Sequence, residues 1–206
     1  MSFLVLKPTV DIENVPEFYK LFLSSTVQYH HKERQWILTL IADSLIEPYD
    51  YNVLQKRYVI KLCLSLFTSN MSTMETRKLV LIILRSALKH QSVAKDLFYR
   101  SNLQSWITVT AQQSTLSRWE KVFLCQLFIT LYEHIKTFMM NETNQNDIKS
   151  KNQIALQQKI CQMLSRKMKQ MLDEVDDSGR AVWSKKLDDL ISSDWSEKEV
   201  VENDNA

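Results

Sequence analysis

Few residues in this chain could do chemistry. The stretch 29-YHHKERQWILTLIADSL-45 places His30, His31 and Glu33 within four positions. Imidazole and carboxylate groups so close together invite a metal-ligand or proton-transfer reading. On a helix, ligating histidines sit at i and i+4 so that both rings converge, whereas neighbours diverge by about 100°. His30 and His31 therefore cannot share one ion from a regular helix, and His90 and His134 stand singly much further along. Cys63, Cys125 and Cys161 are odd in number, far apart, and each set in an apolar helical pattern. They fit reduced core thiols of an intracellular protein better than a zinc cluster or a disulfide framework. The sequence holds no G-x-x-x-x-G-K-[ST], G-x-G-x-x-G, G-x-S-x-G, C-x-x-C or H-E-x-x-H. A chain with no catalytic residues, no metal and no cofactor is the expectation. HHKER then reads as the hydrophilic first turn of a helix that buries Ile37, Leu38 and Ile41.

The remaining polar candidates are cations. Lys32 and Arg34, then Lys56, Arg57 and Lys61, then Arg77, Lys78, Arg85 and Lys89, then Arg166, Lys167 and Lys169 recur on predicted outer helix faces. Such residues either meet phosphates or a protein partner, or simply keep a helix face solvated. Lys32, Arg34, Lys56, Arg57, Arg77, Lys78, Arg166, Lys167 and Lys169 are the candidate partner or RNA contacts. The tryptophans Trp36, Trp106, Trp119, Trp183 and Trp195 could be stacking platforms for bases. Most stand at helix starts beside apolar stripes, where an amphipathic ring seals a core edge, and that packing role is preferred. Charge is uneven along the chain. Residues 1–172 hold 22 Lys+Arg against 13 Asp+Glu, and residues 173–206 hold 4 against 11. A basic body with an acidic tail suits a protein that meets a charged assembly, or one whose acidic end aids solubility.

These residues must be positioned by helices. Among 206 residues there is one glycine, Gly179, and the prolines are Pro8, Pro16 and Pro48. Sheet-rich domains draw on glycine for hairpin turns at positive φ, so the composition predicts an all-α fold. A first helix opens at Val15-Pro16 with Phe18, Leu21 and Phe22 on one face. A second runs from near His31 to before Pro48 with Ile37, Leu38, Ile41 and Leu45 inward. A third, capped by Asp50, carries Val59, Leu62, Cys63, Leu66 and Phe67. Ser72 with Glu75, and Ser117 with Glu120, read as capping boxes. The first opens the all-round apolar run 79-LVLIIL-84, and the second a long helix with Phe123, Leu124, Leu127, Phe128, Leu131 and Ile135. Segments 92–100 and 102–112 form shorter helices. Ile160, Cys161, Leu164, Met168 and Leu172 line a later one, and a short helix is expected around 180–191. The expected organisation is a helical-repeat domain over 1–140, a polar loop over 141–152, an amphipathic helix over 153–172, and an acidic, partly disordered tail over 173–206. Helices with broad apolar faces and short turns favour a HEAT- or armadillo-like α-solenoid fragment, with an irregular helical bundle as the alternative. The start MSFLVLKPTV is neither signal peptide nor membrane span, so a soluble chain is expected.

The order of certain words carries a resemblance. The chain reads 17-EFYKLFLSS-25, 31-HKERQWILTLIADSL-45, 50-DYNVLQKRYVIKLCLSLFTS-69, 79-LVLIILRSA-87, 97-LF-98 and 103-LQSW-106. Over about residues 3–112 this series resembles the C-terminal domain of the nucleolar pre-ribosomal-associated protein family, very large helical-repeat scaffolds of early large-subunit ribosome assembly. The resemblance implies a non-catalytic α-solenoid in the nucleus and nucleolus, serving 60S biogenesis and pre-rRNA processing. It implies pre-60S assembly factors as partners, an RNA helicase among them, with pre-rRNA or small nucleolar RNA close by. It implies neither a membrane nor a small-molecule substrate, and against the family's length 206 residues would be a terminal piece or a truncated gene model. A cytosolic helical-repeat adaptor binding proteins only is the alternative.

Overall fold

The computed structural model describes residues 28–142, 148–173, 180–193 and 195. Among these residues every regular element is an α-helix, as the glycine-poor composition predicts. In chain order they are α1 (Gln28–Ser44), α2 (Pro48–Lys56), α3 (Val59–Phe67), α4 (Met74–Ala87), α5 (Gln91–Tyr99), α6 (Leu103–Ala111), α7 (Arg118–Glu142), α8 (Ile148–Asp173) and α9 (Arg180–Ser192). The helix expected from Pro16 lies outside the described residues. The chain divides into two compact units, one ending at Trp106 and the other beginning at Ile107, a boundary that falls inside α6 rather than at residue 140.

In the first unit α1 packs on α4, α4 on α3, α3 on α2 and α2 on α5. Leu38 and Ile41 of α1 are fully buried, as are Val80, Leu81, Ile83 and Leu84 of α4. Each such aliphatic side chain contributes roughly 1.5–3 kcal/mol on leaving water. Phe67 meets Trp106 edge-on at 5.3 Å between ring centroids. Tyr51, 1% exposed, donates its hydroxyl hydrogen to Asp96 Oδ2 at 2.7 Å, tying α2 to α5. Arg100 holds the other Asp96 oxygen at 3.1 Å. Burial, reinforced by the Asp96 carboxylate, pushes the Tyr51 phenol well above its ordinary pKa.

Three local details differ from the sequence expectation. Asp50 does help start a helix, but from inside its first turn: Pro48 is the first helical residue, Glu47 the cap, and the Asp50 carboxylate accepts from the Glu47 N–H at 2.8 Å. The helix opened before 79-LVLIIL-84 is capped by Thr73, whose hydroxyl accepts from the Thr76 N–H at 3.2 Å, so the cap falls one residue after Ser72. The third helix is two. It breaks after Lys56, and Tyr58 adopts left-handed geometry at φ 58°. A continuous helix would align Leu54, Tyr58 and Leu62, one turn apart each. Breaking it brings Val59, Ile60 and Cys63 into the core and leaves Tyr58 outside.

The second unit contains α7, α8 and α9, each packed on the other two. Its core joins Leu124, Cys125, Phe128, Tyr132 and Ile135 of α7 to Cys161, Met168 and Leu172 of α8 and Leu187 of α9. Ser117 and Glu120 begin α7 as expected: the Ser117 N–H and hydroxyl both donate to Glu120 Oε2, at 2.8 and 2.6 Å. Residues 141–142 and 148–152, within the polar loop expected over 141–152, are helical, and 143–147 lie outside the described residues. Lysine and glutamine after 148 are good helix formers, so polar composition there marks a solvated helix rather than a loop. Within the stretch expected as an acidic tail, α9 is packed, and Trp195 beyond it is 1% exposed. The Trp195 indole N–H donates to Ser193 Oγ at 3.1 Å, and its ring lies 6.3 Å from that of Tyr132. Leu187 and Leu190 are buried while the neighbouring carboxylates Asp188 and Asp189 face out, so acidic composition hides an amphipathic helix.

Candidate functional site

The nine candidate cations fall into four groups. Arg34 is not on the surface. It is 1% exposed and donates from Nη1 to the Met71 carbonyl at 3.2 Å, tying α1 to the loop before α4. Burial draws its guanidinium pKa below the ordinary value. Position 34 lies three, four and seven residues before Ile37, Leu38 and Ile41, so a cation there shares the buried stripe and cannot dock a partner. Lys169 is engaged within the chain, with Nζ 2.7 Å from Asp188 Oδ2, where it links α8 to α9. Arg77 is half-buried in the first turns of α4. The others, Lys32, Lys56, Arg57, Lys78, Arg166 and Lys167, are exposed.

Among the exposed cations, Lys56 and Arg57 share a turn with two residues the candidate set omitted, Tyr58 and Lys61. Lys56 ends α2, Arg57 and Tyr58 form the break, and Lys61 lies in the first turn of α3. Tyr58 is 62% exposed, with Lys61 Nζ 5.6 Å from its ring centroid. Such a distance is within the range of a cation–π contact. Tyr49, 72% exposed, sits seven residues before Lys56 on α2, hence on the same face two turns away. Arg166 and Lys167 occupy adjacent outward positions of α8 beside the exposed Met163. Among the tryptophans, Trp195 and Trp106 pack as expected, but Trp36 is 67% exposed on the outer face of α1 beyond Lys32. It seals no core edge, because its position faces away from the stripe of Leu38 and Ile41.

The groups with ordinary catalytic potential do not converge. Among the described residues no three His, Cys, Asp or Glu side chains gather as a metal site. His31 is exposed, and His90 donates from Nε2 to the Ile46 carbonyl at 2.8 Å, joining the α4–α5 turn to the α1–α2 loop. The three cysteines are buried and free. Burial pushes each thiol up to about 12, so all three stay protonated at neutral pH and are poor nucleophiles. Among the described residues no helix is long and apolar enough to cross a membrane.

Comparison with known proteins then decides the family. The family described as nucleolar pre-ribosomal-associated protein 1 matches residues 1–106, half of the chain. The chain belongs to this family. The matched segment ends at Trp106, the same residue that closes the first compact unit. The nucleolar pre-ribosomal-associated protein 1 of Mus musculus is 24% identical over 106 residues, covering 52% of this chain and 5% of the mouse protein. The chain thus spans a small fraction of that relative's length. No solved structure matches. The family is nucleolar, which gives the chain a nuclear, nucleolar location.

Proposed function

We propose that the chain is a non-catalytic, solenoid-like scaffold segment serving 60S ribosomal subunit biogenesis and pre-rRNA processing. The observation that supports this reading best is the family match over residues 1–106, which coincides with one compact unit. Work of this kind is done by surface complementarity. Buried apolar faces fix the shape of each unit, and exposed cations and aromatic rings dock pre-60S assembly factors, with pre-rRNA or small nucleolar RNA as a further contact. The exposed Lys32, Lys56, Arg57, Lys78, Arg166 and Lys167 would make such contacts, each through phosphate or carboxylate neutralisation rather than chemistry.

Affinity capture of the tagged full-length protein tests the reading. Recovery of 60S precursor components at moderate salt is expected, and their absence would overturn it. The rival is a scaffold that binds proteins only. It is separated by salt: phosphate contacts release counterions, so RNA retention should fall steeply between about 50 and 200 mM salt.

A further inference from the structure

The turn between α2 and α3 carries an unusual residue for its geometry. Tyr58 has φ 58° and ψ 16°, a left-handed conformation that glycine or asparagine adopts with less strain. Its ring adds little to the core, being 62% exposed. Packing explains why the helix breaks at this point, but not why an aromatic residue occupies the break. The surroundings are cationic. Lys61 lies over the ring, the exposed Lys56 and Arg57 precede Tyr58 in the chain, and the sequence between Asp50 and Glu75 holds no carboxylate. The Asp50 carboxylate is itself occupied, accepting the backbone N–H groups of Ile46 and Glu47 at 3.1 and 2.8 Å.

An outward ring among cations matches one ligand chemistry closely. Unpaired bases offer π-faces for stacking, and their flanking phosphates offer negative charge at the spacing of neighbouring side chains. An acidic peptide would satisfy the lysines but leave the ring without a planar partner. A duplex keeps its bases stacked on one another. We infer that the α2–α3 turn binds single-stranded RNA, with Tyr58 stacking on one base and Lys56 and Lys61 holding phosphates on either side. Lys61 lies over the ring in the free chain and gives up that face to the base. Tyr49, on the Lys56 face of α2, extends the surface toward a second base. The inference rests on the reading above that the chain meets RNA, and it names the surface and the form of RNA.

Titration of the full chain with fluorescent oligouridylate of about 12 nucleotides tests it. A matching RNA duplex and polyglutamate serve as competing probes. Tyr58→Asn, which suits a left-handed residue, should keep or raise the melting temperature while weakening oligouridylate binding between about fivefold and a hundredfold. Tyr58→Phe should bind as the unaltered chain does, and Lys56→Glu with Lys61→Glu should lower both affinity and its salt dependence. If Tyr58→Asn proves unstable, Tyr58→Gly carries the same expectation. The inference is overturned if either variant binds oligouridylate undiminished while folded, or if duplex or polyglutamate binds as tightly. Failure of the unaltered chain to bind oligouridylate, with 60S precursors still captured, overturns this surface alone. Oligouridylate binding without any captured precursor overturns the scaffold reading alone.

Discussion

The two units hold their elements together differently. In the first, two polar cross-links come from buried side chains, Arg34 to the Met71 carbonyl and Tyr51 to Asp96, while His90 links two loops at the surface. In the second, the donor side chains are only half-buried: Lys169 with Asp188, Gln158 with the Ser193 carbonyl, and Gln162 with the Ile191 carbonyl. The buried anchor there is an aromatic ring, Trp195. A buried polar group that loses its partner stays out of water and is costly, whereas a surface pair is replaced by solvent at small cost. The first unit should therefore be sensitive to polar substitutions and the second to the loss of apolar volume.

Four substitutions or conditions would break or sharpen that contrast. Trp195→Ala should destabilise the second unit by about 3–5 kcal/mol, read as a lower urea midpoint, because a large buried ring is removed. A loss below about 1 kcal/mol would mean that the α9 end is not anchored by this ring. Arg34→Leu should cost about 1.5–3 kcal/mol, since the Met71 carbonyl loses a charged donor in the interior. An unchanged midpoint would move Arg34 back among the surface cations. The thiols act only in alkali. Each is held near 12 in the fold and ionises near its ordinary value, about 8.5, when unfolded. Their contribution is complete below about pH 8.5 and is lost as pH rises toward 12, at roughly 1.4 kcal/mol per pH unit for each thiol. With Cys125 and Cys161 in the second unit and Cys63 in the first, alkaline loss should be steeper for the second, as site-resolved thiol alkylation would report. The smallest effect is Lys169→Ala. This exposed pair should be worth less than about 1 kcal/mol and should vanish at high salt.

Sequence pattern and structure agree along most of the helical stripes, although Leu62, Phe123 and Ile160 are only half-buried. Helical spacing points Ile37, Leu38, Ile41 and Leu45 inward, and likewise Cys161, Leu164, Met168 and Leu172, and all eight are buried. Arg34 carried the same signal. Its spacing to Ile37, Leu38 and Ile41 put it on the stripe, but its charge suggested solvent. The α2–α3 break was harder to foresee, because no glycine or proline marks it. Its trace is a slip in phase between the line through Leu54 and Tyr58 and the line through Val59, Cys63 and Phe67. Choosing between two such phases depends on which neighbouring helices are present, and that is set by distant parts of the chain. Thr73 rather than Ser72 as the cap reflects the usual one-residue play of helix starts. The pairing of Lys169 with Asp188 joins residues nineteen positions apart on two helices, and nothing local announces it.

The glutamine links of the second unit have a practical consequence. Gln158 and Gln162 are uncharged, so the bonds they donate to the carbonyls at the end of α9 are indifferent to ionic strength and to any titration near neutrality. Chromatography in concentrated salt would thus weaken the polyanion contacts proposed for Arg166 and Lys167 while leaving these α8–α9 bonds intact. Material released by such a wash reports detachment from a folded protein, and the eluted chain should be competent to rebind once the salt is removed.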